Sequence, residues 1–512
     1  MTTRHRATPA PPIYLDYAAS TPVAPEVVEA MTIALGSGDL AGNPAASGHA
    51  TGRHAAAVVE QARERVAALI GADADEIVFT SGATEADNLA IIGTARFRQA
   101  EGRHLVTALT EHKAVIESCR HLASQGWRVT WLKPDAMGVI APEAVELALE
   151  PDTVLVSLMH ANNETGVLQD LSAVGALCRR RGVLFHVDAA QSAGLIDVHV
   201  RDQQIDLLSL SAHKAYGPKG IGALFIDRQR VRRVEPLLFG GGQERGLRPG
   251  TLPTHQIVGM GEAFRIAALR RAQDRGHVTS LRDRLWSQLS AIPGVLRNGH
   301  PELSTGHILN VSVEGVEGES LHDGLEGLAV ASGSACTSLT DEPSYVLRVL
   351  GRPPALARSS VRFSFGRPTT GAEVDRAAGM FAAAVSALRA LAPGTGPPLA
   401  GAGEAAGTVL ARGEAGSPEA GTWVVFGASI RKGRVARLEF RIFGCPHTRA
   451  ACEQVVERLT GRPVTDLGRI EPLQIRADLG IPPEKTGRLL IIQDALRNCL
   501  ADWDNRGLTP AP

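Results

Sequence analysis

No CxxC pair, no long apolar run and no excess of either charge occurs in this sequence, and each absence removes a class of function. The six cysteines, Cys119, Cys178, Cys336, Cys445, Cys452 and Cys499, are scattered along the chain. They lack the spacing of a disulfide framework or a closed zinc site, so reduced thiols are expected, as in a cytoplasm. No stretch approaches the roughly 20 apolar residues of a membrane span. The basic N-terminus has no apolar run behind it, so no secretory leader is expected either. With 53 basic against 54 acidic side chains, no electrostatic argument favours nucleic acid or an anionic membrane. The expectation is a soluble cytoplasmic protein whose partners are small molecules or other proteins, with no nucleic acid and no membrane.

What is present is alternation. At 512 residues the chain exceeds one compact core. Its first half alternates short apolar runs (EIVFT, LVTALT, VTWLKP, TVLVSLMH, VLFHVDAA, LLSLSA) with helical or turn segments. Such alternation predicts an α/β fold with a mainly parallel sheet and ligands at the carboxyl ends of the strands. Polar groups stand at those ends: Thr84, Glu111-His112-Lys113, Asn162-Asn163-Glu164, Asp188 with Gln191, and Ser211-His213-Lys214. Singly, each has a plainer reading. His112 and His213 suit core edges, Asn163 a turn, Asp188 a helix N-cap and Lys214 a loop edge. Five sheet ends carrying such groups together call for one ligand.

Pyridoxal phosphate would use them all. It needs a lysine with a depressed pKa to form an imine, for which Lys214 stands at the end of a buried run. It also needs a carboxylate against the ring nitrogen, suiting Asp188. An imidazole face suits His112, ring donors suit Gln191 and Asn163, and a phosphate cup suits Gly82, Ala83, Thr84, Ser211 and His213, where a strand turns into a helix.

The stretches LDYAASTP, FTSGATEADNLAI, TEHKAV, HANNETGVLQD, HVDAAQS, SAHKAYGPKG, GGGQERGLRPGTLPTHQIVGMGEA and SGSACTS, in that order over about residues 13 to 390, resemble the cysteine desulfurases of iron-sulfur assembly. These are pyridoxal-phosphate enzymes of fold type I, within the aspartate aminotransferase superfamily. The resemblance implies a large domain of about residues 16–260 and a small α/β domain of about 1–15 plus 261–392. It implies roles for Lys214 as imine lysine, Asp188 as ring-nitrogen partner, His112 as stacking and proton-handling residue, and Asn163 and Gln191 as ring donors. Ala83, Thr84, Ser211 and His213 match the phosphate cup, and Thr251 the residue given to the partner subunit's phosphate, which implies a homodimer. Arg362 matches the arginine that holds the substrate carboxylate, with Asn163 beside it, and Cys336 the persulfide-forming nucleophile. The implied reaction converts L-cysteine to L-alanine and passes sulfur to an acceptor protein, an iron-sulfur scaffold or a similar carrier. Selenocysteine lyase activity on the same fold is the alternative enzyme. An assembly protein with a tethered sulfur supplier is the alternative class.

Residues 393–421 are almost entirely Gly, Ala, Pro, Glu and Ser, and read as a linker. Beyond them, 422–512 predict a small α+β domain with two strands turning near Lys432-Gly433 and helices at Thr448 to Leu459 and Leu489 to Trp503. ARLEFRIFGCPHTRAACEQVVERLTGRPV and GIPPEKTGRLLIIQDALRNCLADW resemble the iron-sulfur scaffold proteins. Cys445 matches one of the scaffold's three cluster cysteines. The first has no counterpart, and Gly487 and Arg488 stand where the third would be, while Cys452 and Cys499 read as packing residues. One thiolate is too few for a cluster. The open readings are a docking or regulatory pseudo-scaffold, a sulfur relay through Cys445, and an iron-sulfur cluster shared between Cys445 and Cys336.

Overall fold

The computed structural model describes residues 11–36, 38–332, 343–391, 408–418 and 420–506. Cys336 lies outside them. The large domain is built on a seven-stranded sheet. In spatial order its strands are Ile77–Thr80, Gly222–Ile226, Leu207–Ser211, Leu184–Asp188, Thr153–Met159, His104–Ala108 and Arg128–Leu132. Gly222–Ile226 runs antiparallel to both neighbours and the other pairings are parallel. Thr153–Met159 and Leu184–Asp188 are buried at every position. That is why they read as continuous apolar runs and not as alternation: helices cover both sheet faces.

The helix Thr254–Leu289 joins the large domain to the small one. Its first half (Ile257, Met260, Ala263, Phe264) packs into the large-domain core, and its second half (Val278, Leu281, Leu285, Leu289) into the small-domain core. The expected boundary at 260/261 therefore falls inside a continuous helix. The handover lies between Ile266 and Val278, because an unbroken 3.6-residue period carries no mark of which core receives the apolar face. Ile13 and Leu15 also enter the small-domain core. The small domain's sheet is antiparallel, in the order Ala331–Ser332, Ser360–Ser364, Ile308–Val313 and Val295–Asn298.

Of the expected linker 393–421, residues 393–407 lie outside the described residues, and the part that follows is not a linker. Thr408–Ser417 is a strand that pairs residue for residue with Thr422–Arg431, which in turn pairs with Arg434–Phe443, so the meander has three strands, not two. The helix Thr486–Asn505 lies directly on the first strand. A Cβ at Gly413 would stand 2.0 Å from the Cys499 backbone nitrogen and 2.1 Å from the Ala495 carbonyl oxygen. Small residues permit that approach. Over Thr408–Ser417 the composition that resembles a linker is that of a close helix–strand contact.

Candidate active site

The carboxyl ends of the large sheet gather the polar residues. Lys214 ends a short 3-10 turn, Ala212–Lys214, that follows strand Leu207–Ser211. A cleft beside it, between the two N-terminal domains, is lined by Tyr17, Gln191, Lys214, Tyr216, His307 and Arg367. Asp188 closes the neighbouring strand, is 5% exposed, and accepts the Ala190 N–H through Oδ1 at 2.9 Å. Its field reaches His112, His186, Asp87 and Glu111.

His112 caps the helix Lys113–Ser124, its Nδ1 accepting the Ala114 N–H at 3.2 Å. That bond commits the Nδ1 lone pair, so the neutral ring carries its proton on Nε2. Burial pushes the His112 pKa down against the attraction of Asp188, and the nearby Lys214 and Lys113 lower it further. The neutral imidazole is the form able to lie against an aromatic ring and to exchange a proton at Nε2.

The expected phosphate cup is assembled from three places. Ala83 and Thr84 open the helix Ala83–Asn88, behind the turn at Gly82. Strand Gly222–Ile226 backs directly onto that turn: a Cβ at Gly222 would stand 2.7 Å from the Gly82 Cα. Ser211 and His213 come from the lysine turn, where burial, aided by Lys214 and Lys219, brings His213 to about 4. His213 Nδ1 lies 3.3 Å from Ser20 Oγ. Thr251 is exposed, in a segment tied to the same helix by the Arg248–Glu85 ion pair at 3.0 Å. Gln191 donates to the Ala18 carbonyl at 2.8 Å, which occupies one of its two amide hydrogens.

Arg362 sits on strand Ser360–Ser364 and is 2% exposed. Its Nη1 donates to the Asn163 carbonyl at 2.7 Å and its Nη2 to Asp16 Oδ1 at 2.7 Å, while Nε has no partner. Asn163 Oδ1 and His307 Nδ1 are likewise buried and unpaired. Unsatisfied buried polar atoms are rare in folded proteins, and these three lie close together, Arg362 bonding Asn163 and its charge reaching His307. They fit a polar, anionic ligand set, as the sequence pattern implied for pyridoxal phosphate and an amino-acid carboxylate.

Two residues escaped the sequence reading. Asp16 is the counter-ion of Arg362, and LDYAAS held it in plain view without a partner to announce it. His307 immediately precedes strand Ile308–Val313; burial, with Arg362 and Lys214 close by, brings it to about 3. Nothing local in GHILNV marks it as a site residue.

Cys445 is placed elsewhere. It caps the helix Pro446–Leu459, is fully buried, and has Sγ 3.3 Å from Thr448 Oγ1. It faces the small domain, where Ser320 Oγ donates to the Gly444 carbonyl at 2.7 Å. Lys485 Nζ lies 2.5 Å from Glu319 Oε1, and Arg488 lies 3.5 Å from the same carboxylate. Burial lowers the Arg488 pKa, but the Cys445 sulfur, Glu319 and Glu317 outweigh it and hold the guanidinium above its usual value. A cation against the only matching sulfur does not fit a cluster ligand. Among the described residues no group of three or more His, Cys, Asp or Glu is arranged to hold a metal. Burial pushes Cys119, Cys178 and Cys499 up to about 12, and Cys452 well above its ordinary value, so these remain inert thiols.

Comparison with known proteins agrees with this division. Residues 13–377 match the class V aminotransferase family and residues 395–509 the NifU-like N-terminal domain. The chain is 55% identical over 382 residues to a cysteine desulfurase IscS of Tolumonas auensis, covering 75% of this chain and 95% of that protein. It is 54% identical over 382 residues to the corresponding IscS of Pseudomonas aeruginosa, at the same coverage. Among solved structures, a NifS-like protein superposes with a TM-score of 0.68 at 34% identity, covering 74% of this chain and all of that one (100%). A structure described as SspA in complex with cysteine superposes with a TM-score of 0.62 at 38% identity, over 70% of this chain and 100% of that one. The chain belongs to the cysteine desulfurases of the class V aminotransferase family, with a NifU-like domain fused behind the enzyme.

Proposed function

We propose that the chain converts L-cysteine to L-alanine, captures the sulfur as a persulfide on Cys336, and hands it to an acceptor protein for iron-sulfur or other sulfur-cofactor assembly. The observation that carries the reading is that Lys214 and Asp188 both act on a neutral His112, with the buried Arg362 Nε and Asn163 Oδ1 left without partners. Pyridoxal 5'-phosphate, the family's cofactor, supplies an electron sink that weakens bonds at the substrate Cα. The chain's own residues do the rest. Lys214 Nζ anchors the cofactor and moves a proton at the substrate carbon. His112 exchanges a proton at Nε2. Asp188 holds negative charge against the ring nitrogen, Gln191 and Asn163 orient the ring, and Arg362 orients the substrate carboxylate. Ala83, Thr84, Ser211 and His213 hold the phosphate, joined by Thr251 from a second copy in a homodimer.

Cys336 supplies the thiolate. Its sulfur bonds to the substrate sulfur, the substrate C–S bond breaks, and the electron pair is returned to carbon, which is protonated to alanine. The test is cysteine turnover by wild type and Cys336→Ala, with persulfide mapping by mass spectrometry. Loss of persulfide and of turnover supports the reading, and equal alanine and persulfide in both overturns it. For the C-terminal domain the docked, arginine-faced Cys445 favours the docking role over a cluster or relay. No helix among the described residues is long and apolar enough to cross a membrane.

A further inference from the structure

Behind Asp188 lies a buried group that the reaction does not use. Asp87, on the helix Ala83–Asn88, is 0% exposed, Glu111 is 1% exposed and Asp188 is 5% exposed. All three carboxyls feel one another's field. Asp188 accepts the Ala190 N–H, and Glu111 accepts the Met159 N–H at 3.0 Å through Oε1 while its Oε2 has no partner and burial pushes its carboxyl well up. Neither oxygen of Asp87 has a hydrogen-bond partner of good geometry; the Ser209 hydroxyl lies close and only partly offsets the burial. Its nearest basic neighbour is His186 Nε2, 3.6 Å away. That ring is not a cation: Nδ1 lies 2.8 Å from Ser157 Oγ, Nε2 lies 3.0 Å from Ser209 Oγ, and burial brings His186 to about 4.

The charges facing Asp87 are therefore Asp188 and Glu111, both acidic, and Lys214, the one cation. Three ionised carboxyls in this space would leave two charges uncompensated, and like charges that share a buried site do not all ionise. Burial first, and Asp188 second, push the Asp87 carboxyl well above the usual range.

We propose that Asp87 is a positioning residue that keeps its proton throughout the working range, so that the buried carboxyl cluster presents its negative charge at Asp188 alone. The neutral acid does two things. It spares Asp188 a like charge from behind, and it offers an O–H toward the serine–histidine chain Ser157, His186 and Ser209. Asparagine reproduces both features, with an amide N–H in place of the O–H. Leucine, of similar bulk, reproduces neither the dipole nor the donor. The role assigned to Asp87 rests on the reading of Asp188 as the ring-nitrogen partner.

The decisive measurement needs no cofactor. Apoprotein labelled with 13C at aspartate side chains is examined by infrared difference spectroscopy at neutral pH. A carboxylic-acid C=O stretch is expected in wild type and in Asp206→Asn, which removes the other aspartate pushed up by burial. The band is expected to vanish in Asp87→Asn. Its absence from wild type or from Asp206→Asn overturns the proposal, whether or not Asp87→Asn folds. In the cofactor-loaded protein, the pH midpoint of the bound cofactor's absorbance should stay within about 0.3 unit of wild type in Asp87→Asn, about twofold in proton affinity. Asp87→Leu should weaken pyridoxal-phosphate binding by about tenfold. An asparagine variant displaced as far as the leucine variant means that Asp87 acts as an anion, and overturns the proposal. Failure of wild type to bind the cofactor would instead count against Asp188's role, with the infrared result standing by itself.

Discussion

The cofactor end of the large sheet and the Cys445 end of the C-terminal domain both bury polar chemistry, and they do so in opposite ways. At the sheet end, donors and acceptors are left incomplete: Arg362 Nε, Asn163 Oδ1 and His307 Nδ1 have no partner. At the Cys445 end the charged and polar groups meet in pairs. Ser320 meets Gly444, Lys485 and Arg488 meet Glu319, and Arg488 faces the sulfur. Incomplete groups are costly unless a ligand arrives, so the first arrangement is that of a site. The second is that of an interface, in which the domain resembling a sulfur acceptor buries its only motif-matched thiol against the enzyme.

The contrast breaks most sharply on paired substitutions. Lys214→Ala should lower the rate of alanine formation by about 10³-fold. Cys445→Ser should leave the rate within about twofold, since it touches none of the residues at the cleft. A large loss in Cys445→Ser would make that end a working part of the reaction. Arg362→Lys comes next. The lysine keeps the charge and loses the planar fork, so KM for cysteine should rise about 10- to 100-fold with a smaller change in kcat.

Acid sharpens the contrast further. The buried His307 titrates at about 3 in the folded protein. Its ordinary value is about 6.5, so the unfolded chain takes up the proton first and stability is lost as pH falls below that value. His307→Gln removes this penalty. Relative to wild type, the variant should gain about 1.4 kcal/mol per pH unit below about pH 6.5, read from urea unfolding at pH 7.5, 6 and 5. A constant difference between the two across those pH values would contradict the assignment. The smallest effect is at the docked end. Ser320→Ala should raise the rate of Cys445 alkylation about fivefold, the consequence of losing about 1 kcal/mol from one buried hydrogen bond, as followed by mass spectrometry.

Much of the site was legible because its residues stand in short motifs at strand ends, where position along the chain and position in the sheet coincide. Lys214, Asp188, His112 and Ser211 could be placed that way. Asp87 could not. It sits inside TEADNLAI, where a helical aspartate reads as a solvated turn, and only the packing of that helix against two buried strands shows it sealed under Asp188. The stretch from Thr408 to Ser417 failed for a related reason, since its glycines and alanines look structureless until a helix is laid across them.

By itself the sequence determined the alternation of strand and helix, the motif set of the cysteine desulfurases and the loss of two of the scaffold's three cysteines, because each is a matter of residue type and spacing. Only the tertiary structure decided where the helix Thr254–Leu289 changes cores, that Asp87, Glu111 and Asp188 are buried together, and that Cys445 is closed against Arg488. Those depend on distances and burial between segments far apart in the chain, and it is burial that sets the protonation and exposure of each group.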